Sequence, residues 1–139
     1  MAGGRPSGPK VRCSGKWTEA KFRSFIKNNL RRMCSKWAPI QETLKEARVE
    51  RGWYKCAGCG AKVPATAVKD GKRVKNVHVD HIQPIIDPDK GFTTWDEVID
   101  RMFCEKDNLQ LLCSDCHTIK TAEERAVASE RRKQEKESK

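Results

Sequence analysis

The first third of the chain carries an amphipathic helical pattern. Apolar residues recur at steps of three and four between Phe22 and Trp37, the spacing that places them on one face of an α-helix. The intervening positions hold the basic residues Lys21, Arg23, Lys27, Arg31, Arg32 and Lys36. The pattern therefore predicts a helix with one apolar face and one basic face.

A second, shorter helix is predicted after the first. Pro39 suits the first helical turn, where a missing N–H leaves no carbonyl unsatisfied. Ile40, Leu44 and Ala47 lie at spacings that would anchor this helix, and Gly52 would end it.

The middle of the chain has the composition of β-strands. The segments "WYKCAGCGAKVPA" and "RVKNVHVDHI" flank "KDGK", in which Asp70 and Gly71 form a favoured hairpin turn. We expect the two segments to pair as one β-hairpin. Its far end would then carry Asp80 and His81.

Two more helices are predicted beyond the hairpin. In "TTWDEVIDRMF", Thr94 and Glu97 have the spacing of a capping box. The last helix is expected to begin at Ser114 or Asp115 and to fray into a charged tail. The fold class is therefore α+β.

Charge is unevenly distributed along the chain. Residues 1–55 hold 14 Lys and Arg against 4 Glu and no Asp, whereas residues 56–139 hold 15 basic and 15 acidic residues. The excess in the first segment equals the net charge of +10. A basic block of this kind favours a polyanionic partner, nucleic acid above all. The alternative is a solvated surface that only aids solubility.

Composition restricts the possible size of the core and the possible location of the protein. A hydrophobic fraction of 37% in 139 residues indicates a small core, which a bound metal would help to hold together. The Gly-, Pro- and basic-rich residues 1–16 are expected to form a flexible arm. No run of about 18 apolar residues is present, so no membrane partner is predicted and a cytoplasmic location is expected.

The cysteine spacing predicts a metal site. Cys56 and Cys59 form one C-x-x-C pair, and Cys113 and Cys116 form another. Two tight turns of this kind complete a tetrahedral four-cysteine zinc site, which is structural because no position stays open for substrate. The alternatives are four unrelated thiols or a thioredoxin-like redox pair, although no βαβ pattern surrounds either motif. The remaining thiols, Cys13, Cys34 and Cys104, have no partner at this spacing.

Such a clamp would bring three polar residues together. It ties the hairpin to the start of the last helix, where His117 follows Cys116, so His117 can face Asp80 and His81. A carboxylate and an imidazole can hold a divalent ion and leave positions for water and phosphate. A second imidazole, with an ordinary pKa of about 6.5, can act as a general base.

The segments "VDHIQPI" and "DNLQLLCSDCHTIKT" together resemble the HNH endonucleases, in the subgroup whose ββα-metal fold is tied by two C-x-x-C knuckles. The resemblance covers about half of the chain, from Trp53 to Thr121. It implies hydrolysis of a DNA phosphodiester with Mg²⁺ or Mn²⁺, leaving 5′-phosphate and 3′-hydroxyl ends. It also implies a bacterial or phage-infected host cell.

The resemblance also implies a role for each site residue. Asp80 matches the metal-binding carboxylate, His81 the general base and His117 the second metal ligand. Asn108 matches an asparagine that either braces the loop carrying the base or ligates the metal, and bracing is favoured because His117 is available as ligand. His78 shares a strand face with Asp80 and is interpreted as a structural or supporting histidine, with direct participation as the alternative.

The expected organisation has four parts. They are a flexible basic arm (1–16), a basic helical DNA-binding extension (17–52), an HNH nuclease domain (53–125) and a charged C-terminal helix or tail (126–139). The insertion between Asp80-His81 and Asn108 departs from the short Gly-rich loop of many family members. A non-catalytic zinc-knuckle module that binds nucleic acid is the alternative function. Homing, phage packaging and defence roles all stay open, as does a monomer or a homodimer on double-stranded DNA.

Overall fold

The computed structural model describes residues 8–138, which form an α+β structure of four helices and small antiparallel sheets. The strands are β1 (Lys10–Arg12), β2 (Trp17–Thr18), β3 (Arg48–Glu50), β4 (Trp53–Lys55), β5 (Lys62–Pro64), β6 (Thr66–Lys69), β7 (Lys72–Lys75), β8 (Val77–His81) and β9 (Leu109–Cys113). The helices are α1 (Glu19–Cys34), α2 (Ala38–Ala47), α3 (Trp95–Met102) and α4 (Ser114–Glu137), with a 3₁₀ turn at Lys106–Asn108. The chain divides into two compact units between Lys36 and Trp37.

The first unit is built around α1. Thr18 caps this helix by accepting a hydrogen bond from the Lys21 N–H at 3.2 Å. The ring of Trp17 packs edge-on against Phe25 at 5.1 Å. Strand β1 pairs with β2 where the sequence predicts a flexible arm over residues 1–16, and residues 1–7 of that arm lie outside the described residues.

The second unit includes α2, so its boundary differs from the one expected at residue 53. Helix α2 packs against β8 and β9. Just before it, the Trp37 indole donates to the Cys104 carbonyl at 2.7 Å and packs edge-on against Phe103 at 5.6 Å. These contacts lie far apart in sequence, which explains why local patterns placed the helix with the basic extension.

The predicted hairpin is wrong in its pairing, although the Asp70-Gly71 turn is present. Both turn residues have positive φ, 54° and 76°, as the predicted hairpin turn requires. The turn joins β6 to β7 alone, and Asn76, whose side-chain amide donates to the Pro64 carbonyl, separates β7 from β8. Strand β4 pairs instead with β3 and β5, and β8 pairs with β9.

The β8–β9 pair is the core of the second unit. Its register places Val77 opposite Cys113, Asp80 opposite Gln110 and His81 opposite Leu109. Because side chains alternate across a strand, His78, Asp80 and Gln110 share one face and His81 lies on the other. The buried residues around this pair are Val77, Ile85, Val98, Met102, Leu109, Leu111, Leu112 and Cys113. Helix α4 follows β9 without a loop.

Helix α3 begins as predicted, with Thr94 accepting a hydrogen bond from the Glu97 N–H at 3.2 Å. The second half of the predicted capping box differs, because the Glu97 carboxylate accepts from the Thr93 hydroxyl. Helix α4 begins at Ser114 and continues to Glu137, so the region predicted to fray is helical here.

Candidate metal sites

Two turns bring the four cysteines together. In the first, the Cys56 carbonyl accepts from the Gly60 N–H at 2.9 Å, and the Ala57 N–H reaches across to the Leu111 carbonyl at 2.8 Å. In the second, Cys113 ends β9 and Cys116 lies in the first turn of α4. The strand-to-helix junction therefore aims two sulfurs at the pair from the first turn.

The four sulfurs form a group that can hold a metal ion such as zinc. The sulfurs of Cys56, Cys59, Cys113 and Cys116 all lie within 4.8 Å of one another. In a tetrahedral site with Zn–S distances of about 2.3 Å, sulfurs are about 3.8 Å apart, so a small contraction would complete the site. Among the described residues 8–138, no second group of three or more Cys, His, Asp or Glu ligands is gathered this closely.

The pKa values of Cys56 and Cys116 are shifted in opposite directions. Burial acts to raise the pKa of Cys56, but N–H groups donated by the Cys113, Cys59 and Gly58 backbone outweigh it and lower that pKa. One of these, from the Cys113 N–H to Cys56 Sγ, spans 3.3 Å. The pKa of Cys116 is raised, first by hydrogen bonding with Cys113 and Cys56. Four thiolates cannot accumulate here without a positive ion to balance them.

Gly58 is required by the close approach of the two turns. A Cβ at this position would lie 3.0 Å from Cys116 Sγ and 3.2 Å from the Leu112 Cδ2 methyl. Distances this short force a neighbour to move. The sequence motif C-A-G-C therefore contains a glycine that makes room for a metal ligand on the other element.

Asp80 and His117, two of the predicted ligands, lie near each other at a position that we call the open site. The Asp80 Oδ1 atom lies 4.0 Å from His117 Nε2. Two ligands that are each about 2.1 Å from one ion can be at most about 4.2 Å apart, so one ion can contact both atoms. The Asp80 side chain is 11% exposed and that of His117 is 37% exposed, so the site opens to solvent on the His117 side.

The other carboxylate oxygen of Asp80 is held by residues that the sequence analysis did not assign. Gln110 Nε2 donates to Asp80 Oδ2 at 3.1 Å, and Lys120 Nζ lies 3.1 Å from the same oxygen. Gln110 faces Asp80 across the β8–β9 ladder, and Lys120 follows His117 by one helical turn. Both residues lie inside the motif that carries the resemblance. Helical spacing from His117 is the signal that could have found Lys120, whereas Gln110 depends on the pairing of β8 with β9.

Lys120 ties the end of β8 to α4. Its ammonium group donates to the His81 carbonyl at 2.9 Å and to Glu124 at 2.6 Å, in addition to its contact with Asp80. Burial lowers the pKa of Lys120, but hydrogen bonds to Glu124 and Asp80 outweigh this effect, so the pKa is raised. The positive charge of Lys120 is therefore fixed beside Asp80.

His81 is positioned separately from Asp80 and His117. Its Nε2 atom lies 2.8 Å from the Met102 carbonyl, which can only accept a hydrogen bond, so Nε2 carries the proton. In the neutral ring, Nδ1 is then the nitrogen with a lone pair. The His81 ring makes no hydrogen bond to Asp80 or to His117. The structure therefore brings two of the predicted site residues together and holds the third on the opposite strand face.

Asn108 makes the hydrogen bonds that a bracing role requires. Its carbonyl accepts from the Ile82 N–H at 2.8 Å, and its Oδ1 accepts from the Gln83 N–H at 2.9 Å. Its Nδ2 donates to the Gln83 carbonyl at 3.3 Å. The loop directly after His81 is thus bound to Asn108 by both main chain and side chain.

His78 stacks on His117. The two ring centroids are 4.7 Å apart with planes inclined by 22°, and His78 Nε2 lies 3.1 Å from the Ser114 hydroxyl. Burial, His117 and Lys75 lower the pKa of His78, which favours its neutral form. These contacts hold the His78 ring between Ser114 and the His117 ring.

The predicted DNA-binding residues lie on or just after α1. Lys21, Arg31, Arg32 and Lys36 are exposed, whereas Arg23 and Lys27 are partly buried. Burial and the neighbouring Arg31 lower the pKa of Lys27. The basic face of the helix is therefore only partly open to a partner.

No protein-family model, curated protein or solved structure matches this chain. Across the described residues, no helix is both long enough and apolar enough to cross a membrane.

Proposed function

We propose that the chain is a metal-dependent DNA endonuclease of the HNH type. This proposal rests on the Asp80 carboxylate, whose two oxygens have different partners. Oδ2 of Asp80 is held by Gln110 and Lys120, while Oδ1 lies 4.0 Å from His117 Nε2 at an edge open to solvent. The contacts with Gln110 and Lys120 explain how Oδ2 stabilises the fold, and they leave Oδ1 beside the His117 imidazole as an oxygen that can ligate an ion.

The arrangement of the elements supports the same proposal. Strands β8 and β9 pair antiparallel, and α4 follows β9 directly. This is the strand–strand–helix order of the ββα-metal fold that the sequence resembles. Asp80 and His81 end the first strand, Asn108 precedes the second, and His117 lies in the first turn of the helix.

Within this proposal, Asp80 and His117 would hold Mg²⁺ or Mn²⁺ through Oδ1 and Nε2. When bound, such an ion polarises a phosphate oxygen and stabilises the charge that develops on it. His81 uses Nδ1 to take a proton from the attacking water, since its Nε2–H is fixed to the Met102 carbonyl at 2.8 Å. Asn108 keeps the loop after His81 in place.

The four-cysteine group binds zinc and has a structural role. It fastens the turn after β4 to the junction of β9 and α4. The position of His117 directly after Cys116 means that the structural site also positions a ligand of the catalytic ion. Substrate affinity comes in part from the exposed basic residues on and just after α1, which contact DNA phosphates.

A non-catalytic zinc-knuckle module that binds nucleic acid is the second candidate. It is favoured by the fact that, within residues 8–138, the four cysteines are the one tightly gathered ligand group. It leaves the Asp80–His117 pair and its supporting hydrogen bonds without a role.

Digestion of supercoiled plasmid separates the two candidates. Zinc-loaded protein is incubated with plasmid in the presence of Mg²⁺, Mn²⁺, Zn²⁺ or a chelator, and the ends of the products are mapped. The nuclease proposal predicts metal-dependent nicked or linear DNA with 5′-phosphate and 3′-hydroxyl ends. Binding without any cleavage, at every metal tested, would favour the second candidate.

A further inference from the structure

The hairpin of β6 and β7 is exposed on both faces. Strand pairing sets Lys69 opposite Lys72 and Val68 opposite Arg73, with the Asp70-Gly71 turn at the tip. Of residues 66–75, only Ala67 is partly buried, and Val68 is 65% exposed. A two-stranded hairpin is marginally stable in water unless it packs on something, so this one gains little from its own contacts.

The hairpin also has an unbalanced charge. Residues 66–75 include four basic residues, Lys69, Lys72, Arg73 and Lys75, against the single acidic residue Asp70. Like charges directly opposite on paired strands repel, and Lys69 and Lys72 occupy such positions. An anionic partner at the tip would relieve this repulsion.

Several other basic side chains of the same unit are already paired with acidic ones. Lys62, Lys106 and Lys120 each lie within 4.0 Å of an acidic side chain. Across the described part of the chain, none of the four basic residues of the hairpin forms an ion pair. Arg73 donates from Nη1 to the Thr66 hydroxyl at 2.9 Å, which leaves its charge unbalanced. The charges of all four side chains can therefore act on an external anion.

The base of the hairpin is fastened beside the open site. The Ser114 N–H donates to the Asn76 carbonyl at 3.0 Å, and the Ser114 hydroxyl donates to the Lys75 carbonyl at 3.3 Å. The same hydroxyl lies 3.1 Å from His78 Nε2, and His78 stacks on His117.

We infer that the β6–β7 hairpin is a second DNA-binding element, which contacts the phosphate backbone beside the site formed by Asp80 and His117. This inference rests on the proposed function for the identity of the partner. Double-stranded DNA fits because it presents closely spaced phosphates over the length of a ten-residue finger. Lys69, Lys72 and Arg73 are the residues expected to make these contacts.

The test replaces the three residues together, Lys69→Gln, Lys72→Gln and Arg73→Gln. The matched control replaces three exposed basic residues near the end of α4, Arg132→Gln, Lys133→Gln and Lys136→Gln, and removes the same charge. Circular dichroism and zinc content establish that each protein is folded. The hairpin variant should keep its melting temperature or gain slightly, because the Lys69–Lys72 repulsion is removed.

The readout is the affinity for a double-stranded oligonucleotide as a function of salt concentration. A chelator keeps Mg²⁺ and Mn²⁺ from the open site, and zinc analysis shows that the four-cysteine group keeps its ion. The hairpin variant should lower the slope of log K against log salt by about 2 to 3, close to 0.9 per lost phosphate contact. The control variant should lower it by less than 1. Equal slopes for the two variants, or a loss seen with double-stranded RNA and absent with DNA, would overturn the inference.

Because this assay needs no cleavage, its failure is distinct from failure of the proposed function. A parent that cuts DNA and a hairpin variant that binds like the control would leave the nuclease proposal intact and remove the hairpin inference. A parent that never cuts DNA, together with a hairpin variant whose slope of log K against log salt is reduced, would remove the nuclease proposal and keep the hairpin inference.

Discussion

Cys116 and His117 are neighbours on α4, but they belong to clusters that differ in the number of ligands and in exposure to solvent. Cys116 joins three other sulfurs, all within 4.8 Å of one another, and one of them, Cys56, is completely buried. His117 faces a single carboxylate oxygen at 4.0 Å, and 37% of its side chain is exposed. Successive helical residues are turned about 100° from each other, which allows one helical turn to serve both clusters.

The difference between the clusters indicates what each can do. Four sulfur ligands complete the coordination of zinc and leave no position for a substrate. One carboxylate oxygen and one imidazole leave most positions of a divalent ion open to water and phosphate. The closed cluster is suited to holding the fold, and the open one to chemistry.

The largest effect is expected when the closed cluster loses one of its sulfur ligands. Cys113→Ser should release zinc and unfold residues 37–138, because binding of structural zinc supplies about 10 to 16 kcal/mol in small domains and a whole domain has about 5 to 15 kcal/mol of stability. Metal analysis and circular dichroism measure both consequences. Cys104→Ser is the control, since Cys104 lies outside the cluster. A Cys113→Ser protein that melts at the parent temperature without zinc would contradict the structural role.

The next effect concerns the proposed general base. His81→Ala should slow plasmid nicking by about 100-fold or more, the usual contribution of a general base, and should leave Mn²⁺ affinity and zinc content unchanged. The variant keeps both atoms of the proposed ion site, Asp80 Oδ1 and His117 Nε2. Nicking at the parent rate would show that the proton is taken elsewhere.

A smaller effect is expected at the support of Asp80. Gln110→Leu removes the amide that donates to Asp80 Oδ2 at 3.1 Å while keeping the volume of a half-buried side chain. Mn²⁺ affinity of the open site should fall about 10-fold, as is usual when a residue that orients a ligand is lost. Titration calorimetry measures this, with Gln134→Leu on the exposed end of α4 as control. Unchanged affinity would mean that Lys120 alone orients the carboxylate.

The smallest effect tests how tightly the closed cluster is packed. Gly58→Ala places a methyl group 3.0 Å from Cys116 Sγ and 3.2 Å from a Leu112 methyl. The expected cost is about 1 kcal/mol, the low end for overpacking, because the neighbouring atoms of Cys116 and Leu112 need to move by only a few tenths of an ångström. Urea unfolding of the zinc-bound protein gives the value. Ala57→Ser, an exposed neighbour in the same turn, should have no measurable effect, and an equal loss in both variants would contradict the packing argument.

The closed cluster could be predicted from the sequence because its information is local. Two C-x-x-C spacings identify the four ligands, and the structure confirms that the sulfurs meet. The Thr94 cap and the Asp70-Gly71 turn are also confirmed, and each depends on residues within four positions. Spacing of this kind can be recognised in the sequence without knowledge of the rest of the fold.

The open site depends on pairing between distant segments, which local patterns do not contain. Strand β8 could be recognised as a strand, but its partner β9 lies beyond an insertion that includes α3. Without that register, Gln110 cannot be placed opposite Asp80, nor His81 against the Met102 carbonyl. The same limit explains why α2 was placed with the basic extension, since its packing against β8 and β9 is long-range.

The most direct test of the central claim, that the open cluster carries the chemistry and the closed cluster the fold, is to measure zinc content, Mn²⁺ affinity and plasmid nicking on one preparation of Asp80→Ala. The account predicts a folded protein with its full zinc content, no Mn²⁺ bound at the open site and no nicking. An Asp80→Ala protein that nicks plasmid at the parent rate, or that loses its structural zinc together with its fold, would contradict the claim.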